Sequence, residues 1–239
     1  MGDFAFDLRK GDYDAILAAA MFGSWSTDTL KTGTTLSTFT FQDAATDISQ
    51  YILYTGCGIN SLSVSMAPNK MIECTANIVG SDQSISGTGK TLTASSTNEP
   101  FDAYSGDLEV GNTGGALATI ANVTSLEFTI NNSMAPTFVI GSDATPQLEY
   151  GRSNITGNLT AYFEDTNWLN RFRNETETAI QVTVDDPTGL NTYTFFFPRV
   201  KINSANTGVA NEQSRLVEME FTALYDASEG SDLTVTRTS

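Results

Sequence analysis

Apolar and polar residues alternate with a period of two along most of this chain, and that pattern admits few folds. Ser61-Leu62-Ser63-Val64-Ser65-Met66 and Ser125-Leu126-Glu127-Phe128-Thr129-Ile130 alternate without a break. Ile72, Cys74, Ala76 and Ile78 fall on one side, with Glu73, Thr75 and Asn77 on the other. Near the C-terminus Val217, Met219, Phe221, Ala223 and Tyr225 oppose Glu218, Glu220 and Thr222. Successive side chains of a strand point to opposite faces, so this spacing predicts antiparallel strands with one face in a core and the other in water or against a partner. From Thr192 to Ile202, Tyr193, Phe195 and Phe197 share a face and Phe196 takes the other, which predicts burial on both sides. Pro198 interrupts that strand and is compatible only with an edge or a bulge.

Two segments depart from the alternation. Asp12 to Phe22 places Tyr13, Ile16, Leu17, Ala20 and Met21 at helical spacing, with Asp12 as N-cap and Gly23 as the stop. Asp165 to Asn174 clusters Trp168, Leu169 and Phe172 on one face, with Asp165 at the cap. Helices of about ten residues are marginal alone, so each is expected to pack against a sheet.

The surroundings of these helices resemble each other. Gly2-Asp3-Phe4-Ala5-Phe6-Asp7-Leu8 precedes the first, and Gly157-Asn158-Leu159-Thr160-Ala161-Tyr162-Phe163 precedes the second. Strands follow each, Ile59-Asn60-Ser61 matches Ile202-Asn203-Ser204, and a closing strand comes next, Ile72 to Val79 in one case and Leu216 to Leu224 in the other. The order predicts a duplication. Three further strands, near Gly106–Val110, Leu117–Ile130 and Asn154–Phe163, lie ahead of the second helix, whereas the first has only the stub Gly2–Leu8. Ser81 to Pro100 is rich in Ser, Thr and Gly and reads as a surface linker. The expected organisation is a first unit over residues 1–85, incomplete at its N-terminus, a linker over 86–101 and a second, complete unit over 102–239. Gly111-Asn112-Thr113-Gly114-Gly115 reads as a hairpin tip, Asp43 to Ser49 as a projecting loop, and Asp186-Pro187-Thr188-Gly189 as a turn in which Pro presets φ and Gly accepts φ > 0.

Composition removes several function classes. The chain has 12 Lys and Arg against 28 Asp and Glu, a formal net charge of −16, and no histidine. No basic stretch is present to grip nucleic acid, and Ser-His-Asp or Cys-His catalysis, His-ligated zinc and imidazole switches are excluded. Two cysteines, Cys57 and Cys74, are too few for a disulfide-stapled scaffold. A Cys57–Cys74 disulfide requires neighbouring strands, and Cys74 on an apolar face reads as a small buried hydrophobe. No apolar run reaches the roughly 20 residues of a membrane helix, and Met1-Gly2-Asp3-Phe4 lacks the features of a signal peptide. Gly89-Lys90-Thr91 imitates the end of a phosphate-binding loop, but Ser84 stands where the first glycine is needed and no helix is expected after it. Acidic pairs such as Asp185-Asp186 are abundant by chance, and no loop has calcium-ligand spacing. No residue is assigned to catalysis, to a cofactor or to a metal, and no cofactor is expected.

With strands, helices and repeat in place, the chain resembles the major tail tube proteins of long-tailed, non-contractile bacteriophages, in the type with a duplicated tube domain. The residues that carry the resemblance are Tyr54-Thr55-Gly56-Cys57-Gly58-Ile59-Asn60-Ser61-Leu62-Ser63-Val64, Tyr150-Gly151-Arg152, Ala161-Tyr162-Phe163-Glu164-Asp165, Phe197-Pro198-Arg199-Val200 and Phe221-Thr222-Ala223-Leu224-Tyr225-Asp226, in that order. The resemblance runs from about Gly2 to Thr236. It implies a mainly β fold, an antiparallel β-sandwich or barrel of the tail tube type, duplicated, each unit with one short packing α-helix. It also implies a structural, non-enzymatic subunit of the virion tail, assembled in the host cytoplasm into stacked rings around a channel for the genome. The implied partners are further copies of the chain, tape measure, tail terminator and tail tip proteins, and double-stranded DNA that passes without specific binding. Two units per chain favour rings of three chains, with six as the alternative.

A bore carrying DNA works best if it repels phosphate, and the alternating faces Glu218/Glu220 and Glu127/Thr129 are candidates either for such a lining or for subunit seams. A carbohydrate-binding or adhesin β-sandwich is the alternative function and predicts an exposed aromatic platform on a monomer. A glycosidase-like enzyme would need two acids facing each other across a cleft.

Overall fold

The computed structural model describes residues 2–92, 94–141, 144–208 and 214–238. In chain order these form β1 (Gly2–Asp7), α1 (Asp14–Ala20), β2 (Thr29–Lys31), β3 (Phe39–Ala45), β4 (Gln50–Met66), β5 (Glu73–Val79), β6 (Asp82–Ser86), β7 (Asp102–Asn112), β8 (Leu117–Thr119) and β9 (Val123–Asn131). They continue with β10 (Ala135–Pro136), β11 (Leu148–Glu149), β12 (Asn154–Tyr162), α2 (Asn167–Arg173), β13 (Thr178–Asp185), β14 (Thr192–Thr207), β15 (Leu216–Ala223) and β16 (Thr234–Arg237). The fold is mainly β and antiparallel, as the alternation requires.

Two long strands organise it. β14 pairs β13 and β16 on its two edges through Tyr193–Phe196, and from Val200 onward it pairs β15. The register with β13 shifts between Ile180↔Phe197 and Thr178↔Val200, so Pro198 sits where one ladder bond is already lost. β4 does the same work: Tyr51–Thr55 pairs β3 and β6, and Ser61–Met66 pairs β5 and β9. The result is a sheet in the order β1, β5, β4, β9, β12, β15, β14, whose last strand turns over to carry β13, β7 and β8 on one side and β16 and β2 on the other. The two layers close on one core. Phe128 of β9 meets Phe195 and Phe197 of β14 at 5.5 and 5.1 Å between ring centres, and Phe197 meets Phe221 at 5.9 Å. Tyr193, Phe195 and Phe197 are fully buried and Phe196 is half-buried. The three-stranded blade β3–β4–β6 projects from this body, with Ile48 and Ile85 exposed.

The strands around the two helices obey one pairing scheme. β1 pairs β5, β5 pairs β4, and β4 pairs β3 and β6; β12 pairs β15, β15 pairs β14, and β14 pairs β13 and β16. Gly2 stands opposite Ile78 as Gly157 stands opposite Phe221. The register of β4 on β5 shifts between Ile59 and Ser61, and that of β14 on β15 between Ile202 and Ser204. Each helix is seven residues long and ends alike. Gly23 N–H bonds Ala18 O at 2.9 Å and Phe22 N–H bonds Ala19 O at 3.2 Å; Thr176 N–H bonds Arg171 O at 2.9 Å and Glu175 N–H bonds Phe172 O at 3.2 Å. This double closure puts Phe22 (φ 48°) and Glu175 (φ 50°) in the left-handed region.

Several local expectations are corrected. Asp12 does not cap α1, which starts at Asp14 after Tyr13; the Asp12 carboxylate accepts the Ser96 N–H at 2.7 Å instead. Asp165 does bond the first turn of α2, accepting the Asn167 N–H at 2.8 Å from one residue before the cap position, Thr166. The left-handed stop of α1 is Phe22, whose side chain is buried, rather than Gly23, where a Cβ would collide with Lys31 O. The Ser81–Pro100 linker yields its first residues to β6, which the edge of β4 recruits despite its polar composition. Leu117–Ile130 is two strands, separated by a turn at Ala121 and Asn122. Tyr225 is exposed because β15 ends at Ala223. Cys57 and Cys74 are both buried and unpaired.

The chain ends are tied together. Arg237 of β16 pairs with Asp14 of α1 and, at 3.2 Å, with Asp28, while its guanidinium lies 4.4 Å over the Trp25 ring. The Tyr193 hydroxyl donates to the same Asp14 carboxylate.

Candidate functional site

The outer face of the seven-strand sheet is a continuous polar surface, and its rows follow from register. One row runs Asp7, Glu73, Ser65, Glu127, Asn158, Glu220, Ser204 across β1, β5, β4, β9, β12, β15 and β14. The next runs Ala5, Thr75, Ser63, Thr129, Thr156, Thr222, Lys201. A third begins Asp3, Asn77, Ser61, Asn131, Asn154. On the opposite face the same strands bury Leu62, Val64, Cys74, Ala76, Leu126, Phe128, Leu159, Met219 and Phe221. The alternation predicted from sequence therefore sorts every acid of this face outward.

The face is hydrogen-bonded along its rows. Ser63 and Thr129 share a bond of 2.8 Å, Asn77 Nδ2 donates to Asp3 at 2.7 Å, and Asn60 Nδ2 donates to Asn77 at 2.9 Å. Asn203 Nδ2 donates to Thr222 Oγ1 at 2.8 Å. Directly opposed like charges weaken a sheet, so the Asp7–Glu73 pair opposes the stability of the free subunit. Lys201 is the one cation in these three rows, and it lies at the border, 3.4 Å from Glu175. Glu127/Thr129 and Glu218/Glu220 lie on this face as expected, and so does Glu73 of the polar side read from sequence; Asp3 and Asp7 join it through the register of β1 on β5.

At both borders the ladder stops. β1 pairs β5 on one edge, and no described strand pairs the other. On β14, residues 204–207 pair β15 alone. Beside β1 opens a groove of about 990 Å³ lined by Gly2, Phe4, Phe41, Tyr54, Cys57 and Ile78, and among the described residues β3 pairs β4 alone.

The other candidate chemistries disperse. Gly89-Lys90-Thr91 is irregular chain, with the Lys90 N–H bonded to Gln42 Oε1 at 2.6 Å. Asp186 is buried in its turn; burial alone would raise its pKa, but bonds from Thr188 Oγ1, Asn191 Nδ2 and the backbone N–H groups of Asn191 and Leu190 outweigh that and hold it at about 2. Such a carboxylate is a structural staple. Burial pushes the Cys74 thiol up to about 12, next to which the Asp7 charge adds a smaller push, and burial likewise raises Cys57.

The comparisons with known proteins agree with this geometry. No match was found among curated proteins. A family model described as phage tail tube protein matches residues 1–223. That span holds both helices and every strand of the polar face, and so the chain belongs to the phage tail tube protein family.

Proposed function

We propose that three copies of this subunit close each ring of the tube, with the polar face turned to the bore. The chain is a structural tail tube subunit and a component of the virion tail. What carries the finer reading is one surface: a sheet face that is polar across seven strands, acidic on β1, β5, β9 and β15, and open at both borders. Unpaired strand edges invite pairing with another chain, and a ring removes them. Carboxylates in the row of Asp7, Glu73, Glu127 and Glu220 repel the phosphates of a passing duplex, while the row of hydroxyls carries one cation, Lys201, at its border and beside Glu175.

The repeated pairing scheme supports two tube units per chain, residues 1–85 and 102–239 joined through 86–101, and hence six units from three chains. Rings stack into a tube whose length and ends are set by tape measure, terminator and tip proteins, and assembly takes place in the host cytoplasm. The projecting β3–β4–β6 blade, with Ile48 and Ile85 bare, is suited to contacts between rings. Native mass spectrometry of rings released from assembled tubes tests the stoichiometry. Three chains of 25.7 kDa give about 77 kDa; a ring of six chains overturns the reading.

A further inference from the structure

We infer that within a ring β14 of one copy faces β1 of the next across the width of one strand, in the arrangement that β4, β9 and β12 make inside the chain. The inference rests on the reading of ring assembly just given and names the surfaces that meet.

The internal junction is the template. β9 lies between β4 and β12 and is antiparallel to both, so that Ser65, Glu127 and Asn158 stand in one row. The two outer borders are the counterparts of its two walls. β14 corresponds to β4 through the shared register shifts at Ile59/Ser61 and Ile202/Ser204, and β1 corresponds to β12 through Gly2↔Ile78 and Gly157↔Phe221. Between β1 and β14 every pairing along the sheet is antiparallel, and six such steps leave the two strands pointing the same way. Rotation about the bore preserves strand direction. An antiparallel sheet that continues around the ring therefore has an odd number of strands between β14 of one copy and β1 of the next, and the internal junction sets that number at one.

Both walls carry the marks of that place. A Cβ on Gly157 would come within 2.6 Å of Glu127 O on β9, whereas a Cβ on Gly2 would meet nothing within 4 Å. The groove beside β1 is bordered by Phe4, Phe41 and Ile78, apolar groups that a strand with β9's alternation covers. Across the internal junction Asn60 accepts the Asn132 N–H on its carbonyl at 2.8 Å and the Met134 N–H on Oδ1 at 2.7 Å, while its Nδ2 reaches β5. Asn203, at the same step of β14, sends its Nδ2 to β15 and is exposed. Its Oδ1 accepts from no described residue, and in the ring it receives the strand carried by the neighbouring copy.

The geometry sets a distance. Gly208 lies as far beyond Ser204 as Ser65 lies beyond Ser61, and Asp3 follows Gly2 as Asn158 follows Gly157. Across a joint of this kind they are two strand spacings apart, about 9.6 Å. The test uses Gly208→Cys and Asp3→Cys, singly and together, in the full chain; a Cβ at Gly208 has open space, and the native thiols are buried. Assembled material is treated with a bismaleimide of about 10 Å reach or, separately, with an oxidant that forms direct disulfides. The double variant is expected to give covalent dimers and trimers with the bismaleimide, at least fivefold above either single variant, and no excess disulfide. Tubes that show no such excess, or that form the direct disulfide, overturn the joint while leaving ring assembly standing. Absence of any ring or tube from the unmodified chain by electron microscopy removes the assembly reading itself. Asn203→Ala provides a second readout: a tenfold rise in the concentration needed for assembly with an unchanged subunit Tm supports the joint, and unchanged assembly counts against it.

Discussion

The region around α1 and the region around α2 use one pairing scheme to different ends. β12 lies between β15 and β9 with both edges bonded, whereas β1 has β5 on one side and a groove on the other. α1 buries Ile16, Leu17, Ala19 and Ala20, whereas α2 buries Trp168 alone. The β13–β14 turn is held by a buried carboxylate, whereas the β3–β4 turn projects with Ile48 exposed. The lesson is that alternation and register suffice to build the unit, while neighbours decide which of its borders are finished. The finished borders belong to the subunit's core, and the unfinished ones are those that the proposed ring closes.

The largest difference lies in β9, which one region has and the other lacks. Phe128 is fully buried and joins the two layers, so Phe128→Ala is expected to cost about 4 kcal/mol in urea denaturation. A loss below about 1 kcal/mol would mean that β9 is not structural in the free subunit. Next comes the glycine pair. Gly157→Ala forces a methyl against Glu127 O and the Phe221 ring and is expected to cost about 2 kcal/mol, whereas Gly2→Ala leaves the free subunit unchanged. Equal effects would contradict an open β1 edge.

The two turns separate under acid. The Asp186 pKa is depressed from 3.8 to about 2, so its contribution is complete above pH 3.8 and is lost as pH falls towards 2. Amide exchange at Leu190 and Asn191 is expected to accelerate in that window, with the β3–β4 turn following only intrinsic exchange. The smallest effect concerns the helix ends. Glu175 holds a left-handed conformation while exposed, so Glu175→Gly is expected to stabilise by about 0.5 kcal/mol in thermal denaturation, its surface pair with Lys201 contributing little. Phe22→Gly reverses the sign, because Phe22 is buried at 4% exposure.

Much of the fold was legible because alternation is a local property. The outward acids of Glu218 and Glu220, the inward row of Val217, Met219 and Phe221, both helices and the bulge at Pro198 follow from neighbours a few residues apart. Register is not local, and there the reading stopped. Nothing in Asp82–Ser86 distinguishes β6 from a linker, because the strand is made by the edge of β4. The staple of Arg237 to Asp14 spans almost the whole chain. Asp12 satisfied the rule for a cap, yet the Ser96 N–H claimed it. For the polar face, each strand's outward residues were readable one strand at a time, but the row of Asp7, Glu73, Glu127 and Glu220 exists only once five registers are known.

The orientation of that face is the most direct measurement to make. A helical cryo-electron microscopy reconstruction of tubes grown from this chain should show three chains per ring, with Asp7, Glu73, Glu127 and Glu220 pointing into the bore. A map that places those four carboxylates on the outer wall, or lines the bore with Lys and Arg, contradicts it.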